Sequence, residues 1–136
     1  MSIDVSEVVF TSSRVPCAAD LYRHGSMTAP PPCLVMGHGF SGAKGLARVD
    51  AERFAAGLAV LVFDYRHFGA SGGQPRQLVD VGRQREGCHA AIAFARGRGE
   101  IDPERVAIWG TSLSGGHVLA VAADDPRLAA AVARAP

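Results

Sequence analysis

No charge of either sign dominates this sequence, in which 14 basic residues face 13 acidic ones for a formal charge of +1. It therefore lacks the cationic footprint that nucleic acid or an anionic membrane surface requires, and neither is expected as a partner. Cysteine is scarce: Cys17, Cys33 and Cys88 are an odd number at unrelated spacings. That gives neither a disulfide framework nor a zinc-ligand pattern, and two of the three lie in apolar runs where a thiol serves as a small hydrophobe. No basic head precedes an apolar stretch at the N-terminus, and no apolar run approaches the roughly 18 residues of a membrane helix. A cytoplasmic location is the resulting expectation. Lysine is nearly absent, Lys44 being the sole example; with abundant alanine this suggests a GC-rich genome and says nothing of function. There is no fixed-period repeat and no low-complexity tract.

What is present is apolar content, 48% of 136 residues, enough for one domain with a real core and no linker, spanning residues 1–136. Residues 3–10 and 15–22 read as two short strands turning at Thr11 to Arg14, an opening hairpin. CLVM (33–36), LAVLVF (58–63) and VAIW (106–109) are continuous apolar runs of the kind shown by strands buried on both faces. AAAVA (129–133) begins a further strand. Between these runs lie helical stretches: about Leu46 to Ala56, ended by Gly57 as a C′ glycine; a longer one marked by Leu78, Val81, Cys88, Ile92 and Ala95; and a third marked by Val118, Val121 and Ala122. Alternating strand and helix after a hairpin means right-handed βαβ units and an α/β fold with a doubly wound, mostly parallel sheet.

In such a sheet, chemistry belongs in the loops at the carboxyl ends of the strands. GTSLSGG (110–116) follows a buried strand and opens a helix. A nucleophile elbow puts a serine on a sharp strand-to-helix turn with small residues two positions to either side. Gly110, Ser112 and Ser114 fit, with Ser114 standing where the common pattern has glycine. A second register, with Ser114 as nucleophile between Ser112 and Gly116, stays open.

Three motifs, VMGHGFSG (35–42), FDYRHFGASGG (63–73) and WGTSLSGG (109–116), carry a resemblance to the N-terminal half of the α/β-hydrolase superfamily. The branches they resemble are the serine esterases, the dienelactone-hydrolase-like proteins and the prolyl-dipeptidyl-peptidase-like proteins. The resemblance implies a truncated α/β-hydrolase fold, incomplete at the C-terminus, with Ser112 as nucleophile and the N–H groups of Phe40 and Leu113 as oxyanion hole. It makes His38 and Gly39 part of the loop that forms the oxyanion turn, and Asp64, Arg66 and Ser71 a segment that lines and braces the site. The implied substrate is a small-molecule carboxylic ester, or a related thioester or peptide, and no metal or organic cofactor is implied. Oligomeric state is not legible.

A serine hydroxyl needs a base and an acid to orient it, and in this fold they follow the serine in the chain. After Ser112 come only His117, on the same helix, and Asp124 and Asp125, which suit a turn before Pro126. His24, His67 and His89 precede the elbow, His67 being the least improbable substitute base. The expectation is a triad whose acid and histidine are absent from this chain. Two other readings stay open. One is a non-catalytic remnant or binding module on the same fold. The other is a dinucleotide-binding loop, Gly37-x-Gly39-x-x-Gly42 after a strand, with Asp64 about 20 residues on as the ribose ligand; against it stands the hairpin that precedes the unit.

Overall fold

The computed structural model describes residues 2–38 and 48–134. Two ten-residue strands open the chain, β1 (Ile3–Ser12) and β2 (Val15–His24), paired antiparallel from Ile3 opposite His24 to Ser12 opposite Val15. The expected four-residue turn is shorter, since Ser13 and Arg14 alone reverse the chain at φ of 46° and 67°. Two successive left-handed residues match the twist of the flanking strands. Then follow β3 (Cys33–Met36), α1 (Arg48–Phe54), β4 (Ala59–Phe63), α2 (Val81–Arg96), β5 (Val106–Thr111), α3 (Leu113–Asp124) and β6 (Ala130–Arg134).

These strands form one sheet in the order β1-β2-β4-β3-β5-β6. β2 joins β4 antiparallel, whereas β3 with β4, β3 with β5, and β5 with β6 are parallel. Every residue of β3 and β4 is buried, which explains runs without alternation: helices cover both faces of this part of the sheet. On one face Val35, Leu61 and Phe63 pack with Ile92 of α2 and Val118 of α3. On the other, Leu34, Val60, Val62 and Trp109 meet Ala51 of α1.

Two helix ends differ from the periodicity reading. α2 starts at Val81 rather than near Leu78, because the Asp80 side chain accepts the Arg83 N–H at 2.9 Å and caps the helix there. α1 stops at Phe54, whose carbonyl takes the N–H groups of both Gly57 and Leu58 at 3.1 Å. Gly57 itself is not left-handed, since positive-φ glycines among the described residues are Gly69 and Gly73.

From β3 the chain crosses to β4 on one side and then passes back to β5 on the other. This reversal sets the carboxyl ends of β3 and β5 side by side, with Met36 opposite Trp109. It is the crevice where doubly wound sheets hold ligands, and it brings Gly37, just after β3, close to Ser114, just after β5.

Candidate active site

β5 ends at Thr111 and α3 begins at Leu113, so Ser112 alone turns strand into helix. Its backbone sits at φ 56° and ψ −122°, a conformation that costs an L-residue about 1–3 kcal/mol and persists only where its surroundings hold it. The surroundings here are hydrogen bonds. The Ser112 N–H donates to the Arg134 carbonyl on β6 at 2.9 Å, and the Ser112 carbonyl accepts from Gly115 at 3.0 Å and Gly116 at 3.3 Å. Ser112 is exposed, and its side chain makes no capping bond to α3. Leu113 is the first residue of α3, so its N–H belongs to the helix-terminal amides that have no carbonyl one turn back.

Ser114 lies differently. It is buried, and its hydroxyl accepts the Thr111 N–H at 2.8 Å while facing the carbonyls of Thr111 at 2.8 Å and Gly37 at 3.4 Å. Gly110 is small for a local reason, because a Cβ there would collide with the Ser114 carbonyl. The two serines that fit the motif, Ser112 as the expected nucleophile and Ser114 in the second register, thus differ in access: one residue is exposed, the other enclosed.

Asp64, at the end of β4, is 2% exposed and accepts the Ala70 N–H at 2.9 Å. Its carboxylate is 4.0 Å from Nε2 of His38, which is also buried and stands edge-on to Tyr65 and Phe68. A ribose ligand must face an open crevice, so this enclosed carboxylate argues against the dinucleotide reading. Ser71 ties the same loop to the hairpin, donating to the Asp64 carbonyl at 2.6 Å and accepting the Ala18 N–H at 2.9 Å. Arg66 donates to Glu86 at 2.7 Å and to the Arg83 carbonyl at 3.1 Å. Phe40, Gly39 and Gly42 lie outside the described residues.

The remaining described histidines have their own commitments. His67, at φ 76°, has Nδ1 3.0 Å from the Pro75 carbonyl and Nε2 3.0 Å from Nη1 of Arg83. A guanidinium only donates, so Nε2 accepts and Nδ1 carries the hydrogen, which uses both ring nitrogens. His117 is buried with Nε2 2.7 Å from Oε1 of Gln84, and burial, assisted by the Arg85 charge, lowers its pKa to about 4. His24 Nδ1 is bound by Ser26, and His89 lies 3.7 Å from Asp124. Asp125 takes a two-pronged bond from Arg96. Burial also raises the thiols of Cys33 and Cys88 to about 12, leaving them protonated and unreactive at neutral pH.

Three residues of this region carry no sequence signal of their own. Tyr65 fills the space a side chain on Gly37 would need and meets His117 edge-on. Gln84 holds His117 across the α2–α3 contact. Arg76 pins the loop after β4 by donating to the carbonyls of Gly69, Ser71 and Gly73 at 2.8, 2.7 and 3.1 Å. Among the described residues no group of three or more His, Cys, Asp or Glu side chains could hold a metal ion, and no helix is long and apolar enough to cross a membrane.

The family described as X-Pro dipeptidyl-peptidase (S15 family) matches residues 15–136. The chain belongs to that family. Quorum-quenching protein AidA of Acinetobacter baumannii (strain MDR-ZJ06) is 54% identical to this family member over 132 residues, 96% of this chain and 43% of that protein. Thiohydrolase aneE of Aspergillus aculeatus is 42% identical over 99 residues, 71% of this chain and 31% of that protein. The crystal structure of the α/β hydrolase GrgF from Penicillium sp. sh18 superposes with a TM-score of 0.87 at 31% identity, covering 94% of this chain and 44% of that one. This peptidase-family chain therefore has the α/β-hydrolase fold, and it spans less than half the length of the curated relatives it matches.

Proposed function

We propose that these residues form the nucleophile-bearing part of a serine hydrolase that acts on carboxylic esters, or on related acyl compounds such as thioesters. The observation that carries this reading is Ser112: a single residue between strand and helix, in a strained left-handed conformation, with its side chain exposed at the switch point of the sheet. A protein retains such strain where the surrounding structure has a use for it. Similarity to a thiohydrolase and to an α/β hydrolase supports the reading, as does the enclosure of Ser114, which leaves Ser112 as the accessible hydroxyl.

In this scheme the Ser112 oxygen attacks the acyl carbon as a histidine takes its proton. The carbonyl oxygen gathers negative charge against the N–H groups of Leu113 and Phe40. Removing one such fixed donor typically costs about 10²–10³ in rate. The tetrahedral species collapses, the leaving alcohol or thiol departs with the proton, and water then releases the acid and restores Ser112. His67 and His117 are committed elsewhere, so the scheme draws its histidine and orienting acid from outside residues 1–136. A peptide bond, as the family's description suggests, would be cleaved by the same steps with an amine leaving.

The test uses the polypeptide as its organism makes it, with an aryl ester as substrate and a fluorophosphonate as covalent label. Ser112→Ala should abolish hydrolysis, and the label should sit on Ser112. Turnover retained in Ser112→Ala overturns the scheme. An intact mass of 14.2 kDa, with no labelling, favours instead a non-catalytic module on this fold, the reading that the commitments of His67 and His117 support.

A further inference from the structure

Ser114 is a buried hydroxyl in the first turn of a helix that it does not cap. A serine hydroxyl inside a helix commonly bonds backbone groups three or four residues back. Here the hydroxyl turns back toward the sheet, accepting the N–H of Thr111, the last residue of β5, at 2.8 Å. Its one proton has two carbonyls within reach, Thr111 at 2.8 Å and Gly37 at 3.4 Å. Gly37 follows β3 and is 77 positions upstream. This oxygen thus stands between the carboxyl ends of two adjacent parallel strands, β5 at Thr111 and β3 just before Gly37. The partners on either side have no slack. A Cβ on Gly37 would collide with the Tyr65 hydroxyl, and one on Gly110 with the Ser114 main chain. A glycine at 114, the residue of the usual small-x-Ser-x-Gly pattern, would leave the Thr111 N–H and both carbonyls without this partner.

We propose that Ser114 is a positioning residue: its hydroxyl latches the elbow that carries Ser112 to Gly37 at the end of β3, fixing where the nucleophile stands relative to the sheet. This rests on the reading of Ser112 as nucleophile. Ser114 touches no substrate in this role. It sets where Ser112 stands relative to the amides that receive the developing charge, so its effect belongs to the transition state rather than to ground-state binding.

The experiment compares wild type, Ser114→Ala, Ser114→Gly and Ser112→Ala in the natural polypeptide, well below each variant's melting temperature. It records kcat and KM for an aryl ester, and affinities for an arylboronic acid and for the carboxylate product. A misplacement of about 1 Å costs on the order of 10²-fold, so kcat should fall by about 10- to 100-fold in both Ser114 variants. KM and product affinity should stay within about two-fold, since ground-state binding is untouched. Boronate affinity should weaken by the same factor as kcat. Unchanged kcat, or a loss carried by KM with boronate affinity intact, overturns the latch. If Ser114→Ala does not fold, Ser114→Gly, which the common pattern accommodates, gives the same reading. An inactive Ser112→Ala beside fully active Ser114 variants removes the latch alone; an active Ser112→Ala removes the nucleophile and the latch together.

Discussion

Nε2 of His117 lies 2.7 Å from Oε1 of Gln84, and this contact between α3 and α2 is closed to solvent. An amide oxygen only accepts, so Nε2 carries the hydrogen and donates. Burial, with the Arg85 charge second, depresses the imidazole from 6.5 to about 4. The unfolded chain takes up a proton below pH 6.5 and the folded chain refuses it until about 4. Stability from this group is therefore complete above pH 6.5 and is lost as the pH falls toward 4, by at most about 3 kcal/mol. Urea unfolding followed from pH 7.5 to 4.5 should show this decline, and His117→Gln should flatten it. An unchanged slope in the variant would place the titration elsewhere.

Gly57 and Gly69 should respond in opposite directions to alanine. Gly57 has open space around its Cα and no left-handed backbone, so Gly57→Ala should stabilise by about 0.4–1 kcal/mol through the unfolded chain. Gly69 sits at φ +54° with the Asp64 carboxylate where a Cβ would go. Gly69→Ala should cost more than about 1 kcal/mol. Denaturation midpoints of the two variants decide the matter.

The Arg96–Asp125 pair ties the last turn of α2 to the end of α3 through two bonds, 2.8 and 3.1 Å, with both side chains mostly shielded. Arg96 holds the Asp125 carboxyl below its ordinary 3.8. This stabilisation is present above that value and fades as the pH falls below it. Asp125→Ala should cost about 1.5–3 kcal/mol at pH 7. A double-mutant cycle with Arg96→Ala should return most of that figure as coupling energy; additive single effects would mean that the pair contributes nothing as a pair.

A cleft of about 460 Å³ beside α1, lined by Leu34, Phe54, Leu58, Ala107, Trp109 and Val132 among others, is almost wholly apolar. β6 borders it, and four of the strand's five residues are exposed. Open strand edges and uncovered apolar surface favour self-association. Residues 1–136 by themselves should bind a hydrophobic dye and grow in apparent mass with concentration in light scattering, and Val132→Lys should weaken both. A dye-silent, concentration-independent monomer would contradict this.

Much of the architecture was legible in the sequence because burial on both faces leaves a direct mark: CLVM and AVLVF tolerate no polar residue. The turn at Ser112 was legible for a similar reason, since a sharp strand-to-helix turn constrains residues two positions away. Which of Ser112 and Ser114 faces solvent was not legible. Both satisfy the local pattern, and enclosure of one comes from Gly37, far upstream. The start of α2 was misplaced because apolar spacing runs on past a cap, and the hydrogen bond of Asp80 rather than the position of Leu78 sets where the helix begins. Tyr65 and Gln84 left no trace because their partners lie 28 and 33 positions away, at Gly37 and His117. The segment from Gly39 through Phe40 lies outside the described residues, so its assignment still rests on resemblance.

The strand β3 is only four residues long, and each is paired on both sides: Cys33 with Ala59 and Val106, through to Met36 with Val62 and Trp109. Within the sheet it is the seam between β1, β2 and β4 on one side and β5 and β6 on the other. A seam this short resists shear along the strands better than peeling across them. Its failure would part the Ser112 elbow from the Asp64 loop in one event, so the two regions should be gained and lost together rather than by degrees.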